Sequence, residues 1–412
     1  MDYLPRHLEH ELTEGLKSAK AILLVGARQV GKTTLLKHLF PNVKVVTFDP
    51  VQDVMGARAN PDLFLDSVGS PVILDEVQYA PELFPALKRR MDADSSKGQF
   101  LLSGSQNPLL LKQVAESLAG RIFIFELESY SVSERFGFAD GGKMPWLTRF
   151  LENGGKWGKQ LPEVIDSQVP LMETLWRGSL PDETAMSHRL VKRYAASYVQ
   201  TYLERDVRIA GNVSDLEAFS RFLSLSAALS GQEVNQSQFG REIGISPATA
   251  GKWLGILKTT FQWHELPPWQ GNAIKRIAGK PKGIFADTGI QTYLLRLSSP
   301  DALLASPLRG AIFETFVAGE IRKQLYPFAG GVGHYHWRTN GGAEVDNLLE
   351  YDGHLHPFEV KCKDHLDAYD LRGVKALRET YGDIVGDGAI IYAGRDVYRI
   401  ADTMLAIPWN AL

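Results

Sequence analysis

The sequence predicts an α/β protein that begins with a parallel sheet covered by helices. Short apolar runs at 21–25, 45–48, 72–74, 100–102 and 122–125 alternate with longer segments that have helical periodicity. A glycine-rich loop follows the first run, and two adjacent carboxylates end the third. Short apolar runs return only near the end of the chain. We therefore expect a second, smaller α/β module there.

Composition narrows the class of protein. With 412 residues, 44% hydrophobic and 23% charged, the chain is expected to hold about two to four globular domains. A net charge of −3 excludes a uniformly basic surface. Cys362 is the only cysteine, which excludes an intramolecular disulfide and fits a reducing cytoplasm. We find no export signal and no apolar run long enough for a membrane span, so we expect a cytoplasmic protein.

The first apolar run leads into a loop of the pattern G-x-x-x-x-G-K-T, which is the P-loop or Walker A motif. Backbone N–H groups of such a loop form an anion cradle at a helix N-terminus, where Lys32 can reach the terminal phosphates and Thr33 can hold Mg²⁺. The sequence therefore predicts a site for ATP and Mg²⁺. The residues expected at this site are Gly26, Ala27, Arg28, Gln29, Val30, Gly31, Lys32, Thr33 and Thr34.

The third run ends in Asp75 and Glu76, about forty residues after the loop. This is the arrangement of a Walker B strand. Asp75 is expected to hold Mg²⁺ through water, and Glu76 to polarise the water that attacks the γ-phosphate. A solvated Asp-Glu pair at a strand end would be the simpler interpretation if the P-loop were absent.

The fourth and fifth runs carry further candidates. Ser105, with Gln106 second, is the candidate polar sensor on a strand expected between the two Walker strands, although Ser-Gly-Ser-Gln-Asn is also turn chemistry. Arg121 enters the fifth strand and is a candidate to sense the γ-phosphate of its own chain or of a neighbour; a surface ion pair is the alternative. Arg205 with Asp206 is a further candidate, for which an interhelical ion pair is the preferred interpretation.

The segment 235–257 predicts a helix-turn-helix. Two short helices are separated by Gly244 and Ile245, and Ser246 and Pro247 suit the start of the second helix. A face of that helix is apolar at spacings of three and four, which predicts a buried side. Soon afterwards, 272–282 contains four basic residues and no acidic one, as in a wing that contacts phosphates: Lys275, Arg276, Lys280 and Lys282.

A carboxylate and lysine cluster is predicted near the C-terminus. Asp346 lies on one strand and, across a turn at Asp352-Gly353, Glu359 and Lys361 share a face of the next. Two carboxylates and an ammonium can support phosphodiester cleavage, with a second Mg²⁺ or Mn²⁺ on Asp346 and Glu359 and with Lys361 acting on the water. Glu314, on a preceding helix, is a third candidate ligand. A salt-bridged strand edge is the alternative.

Taken in order, these motifs resemble a known family. They are Gly26 to Thr33, Leu74-Asp75-Glu76, Leu102 to Ser105, Leu118 to Arg121, Tyr202 to Asp206, Ile245 to Ala250 and Glu344-Val345-Asp346. The chain resembles the prokaryotic AAA-type ATPases whose C-terminal domain of unknown function combines a winged helix with a restriction-endonuclease-like module. The resemblance implies ATP and Mg²⁺ at the P-loop and a nuclease-type centre at Asp346, Glu359 and Lys361.

One departure from the resemblance concerns a turn. The usual Gly-Gly-Phe-Pro-Glu stands here as Arg177-Gly178-Ser179-Leu180-Pro181-Asp182, so we expect the turn but not necessarily its packing. The domains expected are an ATPase at 1–135, a helical connector at 136–215, a winged helix at 216–300 and the nuclease-like module at 301–412.

Three functions fit these motifs. The first is an ATP-driven enzyme that processes DNA, including branched DNA; the second is an ATP switch that binds DNA or protein without cutting; the third is a regulatory or defence component whose partner is a protein. DNA is the preferred partner because of the basic segment and the exposed positions expected for Thr249 and Lys252. Candidate trans-acting arginines favour a homo-oligomer.

Overall fold

The computed structural model describes residues 3–105, 114, 116–136, 145–159, 161–208, 213–272, 274, 276 and 279–412. The chain divides into two compact units. One is Pro5–Ser129 with Thr259–Phe261, and the other is mainly Tyr130–Lys258 with Gln262–Leu412. Each unit has its own core.

The first unit is a parallel sheet between helices, as predicted. Its elements are α1 (Glu9–Ser18), β1 (Ala21–Val25), α2 (Lys32–Leu39), β2 (Lys44–Thr47), α3 (Pro61–Val68), β3 (Val72–Asp75), α4 (Leu83–Ala93), β4 (Phe100–Gly104) and β5 (Ile122–Glu126). The order of the strands described is β2-β3-β4-β1-β5, and every pairing is parallel. The strands β1, β3 and β4 are buried throughout, because helices cover both faces of a parallel sheet.

This order confirms the predicted position of the strand that precedes Ser105. The strand β4 lies between β1 and β3, so Ser105 follows a strand placed between the two Walker strands. The carboxyl ends of β1, β3 and β4 lie at one edge of the sheet, where open α/β sheets bind ligands. The P-loop, Asp75 and Ser105 therefore meet at that edge.

The second unit begins with helices. They are α5 (Val132–Arg135), α6 (Trp146–Glu152), α7 (Leu171–Arg177), α8 (His188–Thr201), α9 (Leu216–Ala228), α10 (Gln236–Ile243) and α11 (Pro247–Thr259). The hairpin of β6 (Trp263–Leu266) and β7 (Lys282–Phe285) follows, and then α12 (Thr288–Leu294), α13 (Pro300–Leu304) and α14 (Arg309–Gln324). The turn kept from the family pattern is present, since Pro181 opens a 3₁₀ helix over Pro181–Ala185.

The helix-turn-helix prediction is confirmed at the level of secondary structure. Gly244 ends α10 in the left-handed region, and the Ser246 hydroxyl accepts a hydrogen bond from the Thr249 N–H at 3.0 Å. The residues predicted for the buried side of the second helix are all buried: Ala250, Trp253, Leu254 and Leu257.

The chain closes with a mixed sheet, which confirms the predicted second α/β module. Its elements are β8 (Gly333–Arg338), β9 (Glu344–Tyr351), β10 (His354–Lys361), α15 (Arg372–Tyr381), β11 (Gly388–Tyr392), β12 (Tyr398–Ala401) and β13 (Met404–Pro408). Within the residues described, the strand order is β12-β13-β11-β10-β9-β8. The hairpin of β9 and β10 turns at Asp352 and Gly353, as expected, and both residues have positive φ.

The core of the second unit joins parts that are distant in sequence. Side chains of α6 and α7, such as Leu147 and Trp176, pack in one cluster with Phe313 of α14 and with Phe358 and Ile391 of the C-terminal sheet. The region predicted as a connector is therefore part of the same core as the C-terminal sheet. In the described part of the chain, no helix combines the length and apolar character needed to cross a membrane.

Candidate nucleotide site and a C-terminal carboxylate cluster

The P-loop lies between β1 and α2 and curves tightly. Gly26 has φ +149°, and a Cβ there would come 2.1 Å from the Leu127 carbonyl oxygen, so this position requires glycine. The Lys32 ammonium donates to the carbonyls of Gly26 and Ala27 at 2.9 and 2.7 Å. The lysine is therefore held across the loop, above the N-terminal end of α2.

A donor set that suits Mg²⁺ lies next to the loop. The Thr33 hydroxyl donates to Asp75 Oδ1 at 2.9 Å, and the Thr47 hydroxyl to Asp75 Oδ2 at 3.2 Å. Ser103 of β4 also donates to Asp75, whose side chain is buried. Hydroxyl and carboxylate oxygens are ligands that Mg²⁺ prefers, and few protein ligands are needed when phosphates and water supply the rest. Thr33 and Asp75 thus fit the predicted metal.

The predicted base, Glu76, belongs to a small polar network. Ser105 Oγ donates to Glu76 Oε2 at 3.0 Å, the Gln78 amide donates to the same oxygen, and Gln78 Nε2 lies 3.3 Å from Ser105 Oγ. Glu76 also has left-handed backbone angles, φ 56° and ψ 42°, which are unusual for a residue with a side chain. The network fixes the carboxylate at the edge of the sheet where the P-loop lies.

Arg121 lies at the opposite edge. The strand β5 starts at Ile122 opposite Ala21, whereas the P-loop follows Val25, about 13 Å further along at 3.3 Å per residue. Its guanidinium pairs with Asp92 at 2.6 Å, and this hydrogen-bonded contact raises the pKa of Arg121. Sensing within its own chain is therefore wrong for Arg121, and a role toward a neighbouring copy stays a prediction. Gln106 and the side chain of Arg205 lie outside the described residues.

The basic segment after the helix-turn-helix differs from the predicted phosphate-binding wing. Lys282 opens β7 and is buried, and Arg276 pairs with Glu350 at 2.6 Å and lies over the ring of Trp269. Lys275 lies outside the described residues, while Lys280 is exposed. The prediction that Lys282 faces phosphates is wrong, because its ammonium is directed into the protein. Sequence periodicity does not reveal on which side a short hairpin docks.

Lys282 lies among three carboxylates of the C-terminal module. Its ammonium is 2.7 Å from Glu314 Oε1 and 3.6 Å from Asp346 Oδ1, and it also pairs with Glu344. Only 4% of the Lys282 side chain is exposed. We call these four residues the lysine cluster. It holds two of the predicted metal ligands, Asp346 and Glu314, around an ammonium ion.

The rest of the predicted centre adjoins the lysine cluster. The Lys361 ammonium is 2.6 Å from Glu359 Oε1, and the Val360 N–H donates to Asp346 Oδ2 at 2.9 Å. Glu359 Oε2 is buried and has no hydrogen-bond partner within the described structure. Val360, between Glu359 and Lys361, is in the core. Asp346, Glu359 and Lys361 are therefore brought together, as the strand spacing predicted.

Burial dominates the electrostatics here. Burial and then the charge of Asp346 raise the pKa of Glu359 to about 8 and that of Glu314 to about 7. Burial acts to lower the pKa of Lys282, but the charges of Glu314, Asp346 and Glu344 outweigh it and leave that pKa raised. The ammonium of Lys282 is thus stable in its protonated form, and its positive charge offsets the surrounding carboxylates.

The predicted metal ligands of the C-terminal module are not arranged as a metal site. Within the parts of the chain that the structure describes, no three His, Cys, Asp or Glu side chains converge in a way that would hold a metal ion. The carboxylates of Asp346, Glu314 and Glu359 instead contact backbone or the two lysines. The sequence did not indicate that Lys282 belongs to this cluster, because the residue precedes the module in the chain and lies in a separate hairpin.

Other contacts of the nucleotide site were also missed. Thr47, Ser103 and Gln78 all bind the Walker B carboxylates, and Arg6 donates to the Val30 carbonyl of the P-loop at 3.0 Å. A polar residue at the end of each neighbouring strand was the available signal for Thr47 and Ser103. Arg6 gave no signal, because nothing in an isolated arginine near the N-terminus indicates a contact with the loop.

The strand order, P-loop and Walker B contacts define the class of the first unit: it is an AAA-type P-loop ATPase domain. Residues 18–136 match a family model described as an AAA domain. Residues 170–301 and 309–412 match two domains of unknown function, DUF8612 and DUF4143. Along the chain, an AAA domain therefore comes first and a DUF4143 domain lies at the C-terminus.

Several proteins are similar to this chain over most of its length. The uncharacterized protein Rv2008c of Mycobacterium tuberculosis and the uncharacterized protein Mb2031c of Mycobacterium bovis are each 29% identical over 400 residues, which is 96% of this chain and 82% of the relative. Among solved structures, the Walker-type ATPase PABY2304 of Pyrococcus abyssi covers 71% of this chain and 96% of its own, with a TM-score of 0.44 and 17% identity. The Thermotoga maritima RuvB Holliday junction branch migration motor covers 67% of this chain and 90% of its own, with a TM-score of 0.30 and 18% identity.

Proposed function

We propose that this protein is a Mg²⁺-dependent ATP hydrolase that works as a DNA-responsive switch. The observation that carries the hydrolase is the arrangement at one edge of the sheet, where Thr33 contacts Asp75 and Ser105 contacts Glu76. Mg²⁺ bound with ATP there would neutralise phosphate charge. Lys32 is placed to bind phosphate oxygens, and Glu76 to accept a proton from the attacking water.

Two substitutions separate binding from hydrolysis. Glu76→Gln keeps the size of the side chain but removes the base, so kcat is expected to fall about 10²- to 10⁴-fold while ATP still binds. Lys32→Ala removes a phosphate contact and is expected to weaken ATP binding itself. Phosphate release and calorimetric ATP binding measure the two effects, with Lys37→Ala, at an exposed position on α2, as the control. Full turnover in Glu76→Gln would refute the assignment of the base.

DNA is the proposed partner because of the second helix of the helix-turn-helix. Lys252 is exposed on α11, and Lys280 is exposed in the segment that follows. Thr249 is tied into the helix cap, since its hydroxyl lies 2.9 Å from Ser246 Oγ. Base recognition therefore has little support, and contact with DNA phosphates is the proposed mode.

The DNA proposal is tested through the ATPase rate. Linear, single-stranded and branched DNA are added to the full chain at several salt concentrations. We expect stimulation that declines as salt increases, and a smaller stimulation in Lys252→Met/Lys280→Met. Glu242→Gln, at an exposed position of α10, is a charge control. An ATPase rate that no DNA alters would favour a protein partner instead.

The lysine cluster favours a switch over a nuclease. A nuclease of this kind needs a divalent cation on Asp346 and Glu359. The Lys282 ammonium lies 3.6 Å from Asp346 and supplies positive charge from within the chain. We infer that Lys282 takes the place of the cation, so that the C-terminal module keeps the shape of a nuclease without cleaving. ATP-driven processing of DNA by this module remains the alternative.

Metal binding tests this inference directly. We expect the wild-type chain, without nucleotide, to bind no Mn²⁺ at the lysine cluster. Lys282→Met leaves three carboxylates without their partner and should lose stability, which added Mn²⁺ restores as a higher melting temperature. Lys280→Met is the matched control. In Lys282→Met/Asp346→Asn, Mn²⁺ should no longer raise the melting temperature. Mn²⁺ binding by the wild type that Asp346→Asn abolishes would overturn the inference.

A further inference from the structure

A cavity of about 690 Å³ lies within the second unit, away from the lysine cluster. It is bounded by α8, α9, α12 and the turn after α12. We call it the basic cavity, and its lining residues are His188, Arg189, Lys192, Val199, Ser220, Ser224, Tyr293, Leu294, Arg296, Leu297 and Ser298. Its volume falls in the range of about 300–1,000 Å³ that small-molecule sites occupy.

The charge of the basic cavity is of one sign. Four of its lining residues are basic, and none of the described residues that line it is Asp or Glu. Behind the lining, His188 Nε2 lies 2.8 Å from Glu173 Oε1. Cations that converge on a cavity with no carboxylate among its described lining residues repel one another. Such a set is stable when an anion binds among them.

Two arginines of the cavity have no partner for their side chains. The guanidinium groups of Arg189 and Arg296 form no hydrogen bond or ion pair with any residue that the structure describes. Both residues are exposed and line the cavity, Arg189 from α8 and Arg296 from the turn after α12. Guanidinium groups bind phosphate oxygens in pairs of parallel hydrogen bonds, which ammonium groups do not. Two free guanidinium groups at one cavity thus match a phosphate.

Lys192 supports the floor of the cavity. Its ammonium lies 3.0 Å from the Thr292 hydroxyl and 4.2 Å from the centre of the Trp176 ring. Burial lowers the pKa of Lys192 to about 8, against the opposing charges of Glu183 and Asp287. The lysine is therefore charged at neutral pH and fixed in place.

The remaining walls determine the type of anion. Three serines and Tyr293 offer hydroxyl groups, whereas Val199, Leu294 and Leu297 form an apolar side. A bare inorganic anion would leave that apolar side without a contact. We propose that the basic cavity binds an organic phosphate of about the size of a nucleoside monophosphate, at a site separate from the P-loop.

Calorimetric titration of the full chain with AMP tests the proposal. Saturating ADP and Mg²⁺ occupy the P-loop throughout, so that only a second site gives heat. We expect AMP to bind and Arg189→Met/Arg296→Met to weaken it by about tenfold or more, because two charge-assisted contacts are lost while the apolar stems remain. Arg193→Met/Arg221→Met, at exposed positions on α8 and α9 outside the cavity lining, should bind AMP as the wild type does.

Three results would overturn the proposal. One is the absence of AMP binding by the wild type, and another is equal binding by the wild type and Arg189→Met/Arg296→Met. The third is equal affinity for inorganic phosphate, which would mean that the apolar walls contribute nothing. Duplex DNA is titrated in parallel. If only DNA binding depends on Arg189 and Arg296, the cavity is part of a nucleic-acid surface and the assignment to a small ligand fails.

Discussion

At the scale of single residues, Gln78 supports the nucleotide site from outside the motifs. Its amide donates to Glu76 and lies 3.3 Å from Ser105 Oγ, so one side chain links the proposed base to the proposed sensor. Glu76 needs such support, because it follows the strand in a left-handed conformation. A base must lie within hydrogen-bond reach of its water, and small displacements are costly.

We therefore expect Gln78→Ala to reduce kcat by about tenfold with little change in KM for ATP. The amide positions the base, because its described hydrogen bonds go to Glu76 and Ser105. Steady-state ATPase kinetics give the two constants separately, and Gln52→Ala, at an exposed position, is the control. An increase in KM alone would mean that Gln78 acts on ATP binding and not on the base.

A second prediction at this scale concerns Glu183. Its side chain is 1% exposed, and both carboxylate oxygens lack a hydrogen-bond partner among the described residues. Burial and then the charge of Asp287 raise the pKa of Glu183 to about 9. The folded chain therefore holds a proton that the unfolded chain releases above its ordinary carboxyl pKa, and stability declines as pH rises through this window.

Glu183→Gln should remove the decline of stability with rising pH. Between pH 5 and pH 7 the wild type is expected to lose at most about 1.4 kcal/mol of unfolding free energy per pH unit through this group. The upper limit of pH 7 stays below the pKa of Lys192, which is about 8, so that this lysine remains mostly protonated throughout. Urea unfolding at several pH values measures the slope, and exposed Glu163→Gln is the control. Equal slopes in wild type and Glu183→Gln would contradict the pKa assignment.

At the scale of elements, close backbone contacts fix the turn after α7. A Cβ on Gly289 would lie 2.1 Å from the Arg177 carbonyl oxygen, and Asp287 at the start of α12 accepts from the Ser179 N–H at 2.8 Å. The turn and the N-terminus of α12 therefore touch through main chain. This explains how the turn survives although its side chains depart from the family pattern.

Gly289→Ala should consequently destabilise the second unit by about 2 kcal/mol or more, because backbone cannot move aside as a flexible side chain can. Gly255→Ala is the matched control. Gly255 also lies in a helix, a Cβ there would contact nothing within 4 Å, and alanine is the better helix former by about 1 kcal/mol. Thermal unfolding of the two variants is compared with that of the wild type. A neutral Gly289→Ala would show that the turn can relax away from α12.

The elements were largely predictable, since each is specified by local patterns. The apolar runs, the helix caps at Ser246 and the turn at Asp352-Gly353 depend on neighbouring residues alone. The sequence also identified Asp346, Glu359 and Lys361, because strand periodicity places them on one face. Lys282 was misplaced because the docking of its hairpin depends on tertiary contacts with Glu314 and Glu344. The same limit applies to the basic cavity, whose walls come from three separate segments.

At the scale of the whole molecule, the question is what ATP hydrolysis drives. The predicted Mg²⁺ ligands Thr33 and Asp75 are in contact at the nucleotide site, whereas the carboxylates at Lys282 are paired within the chain. Under the proposed function, the C-terminal module holds an ammonium where a nuclease would hold a cation, and it serves binding or signalling. A nuclease would need the ammonium to leave and a divalent cation to enter.

Cleavage assays with paired variants distinguish these functions. With ATP and Mg²⁺ or Mn²⁺, we expect the wild type to hydrolyse ATP and leave linear, single-stranded and branched DNA intact. Lys282→Met opens Asp346 and Glu359 to Mn²⁺ and should gain nicking activity, which Lys282→Met/Lys361→Ala loses, because Lys361 is the remaining cation beside Glu359. Cleavage by the wild type that Lys361→Ala abolishes would establish a nuclease and refute the switch. If Lys282→Met binds Mn²⁺ yet cuts nothing, Lys282 is not what prevents cleavage, and the defect lies in the geometry of Asp346, Glu359 and Lys361 themselves.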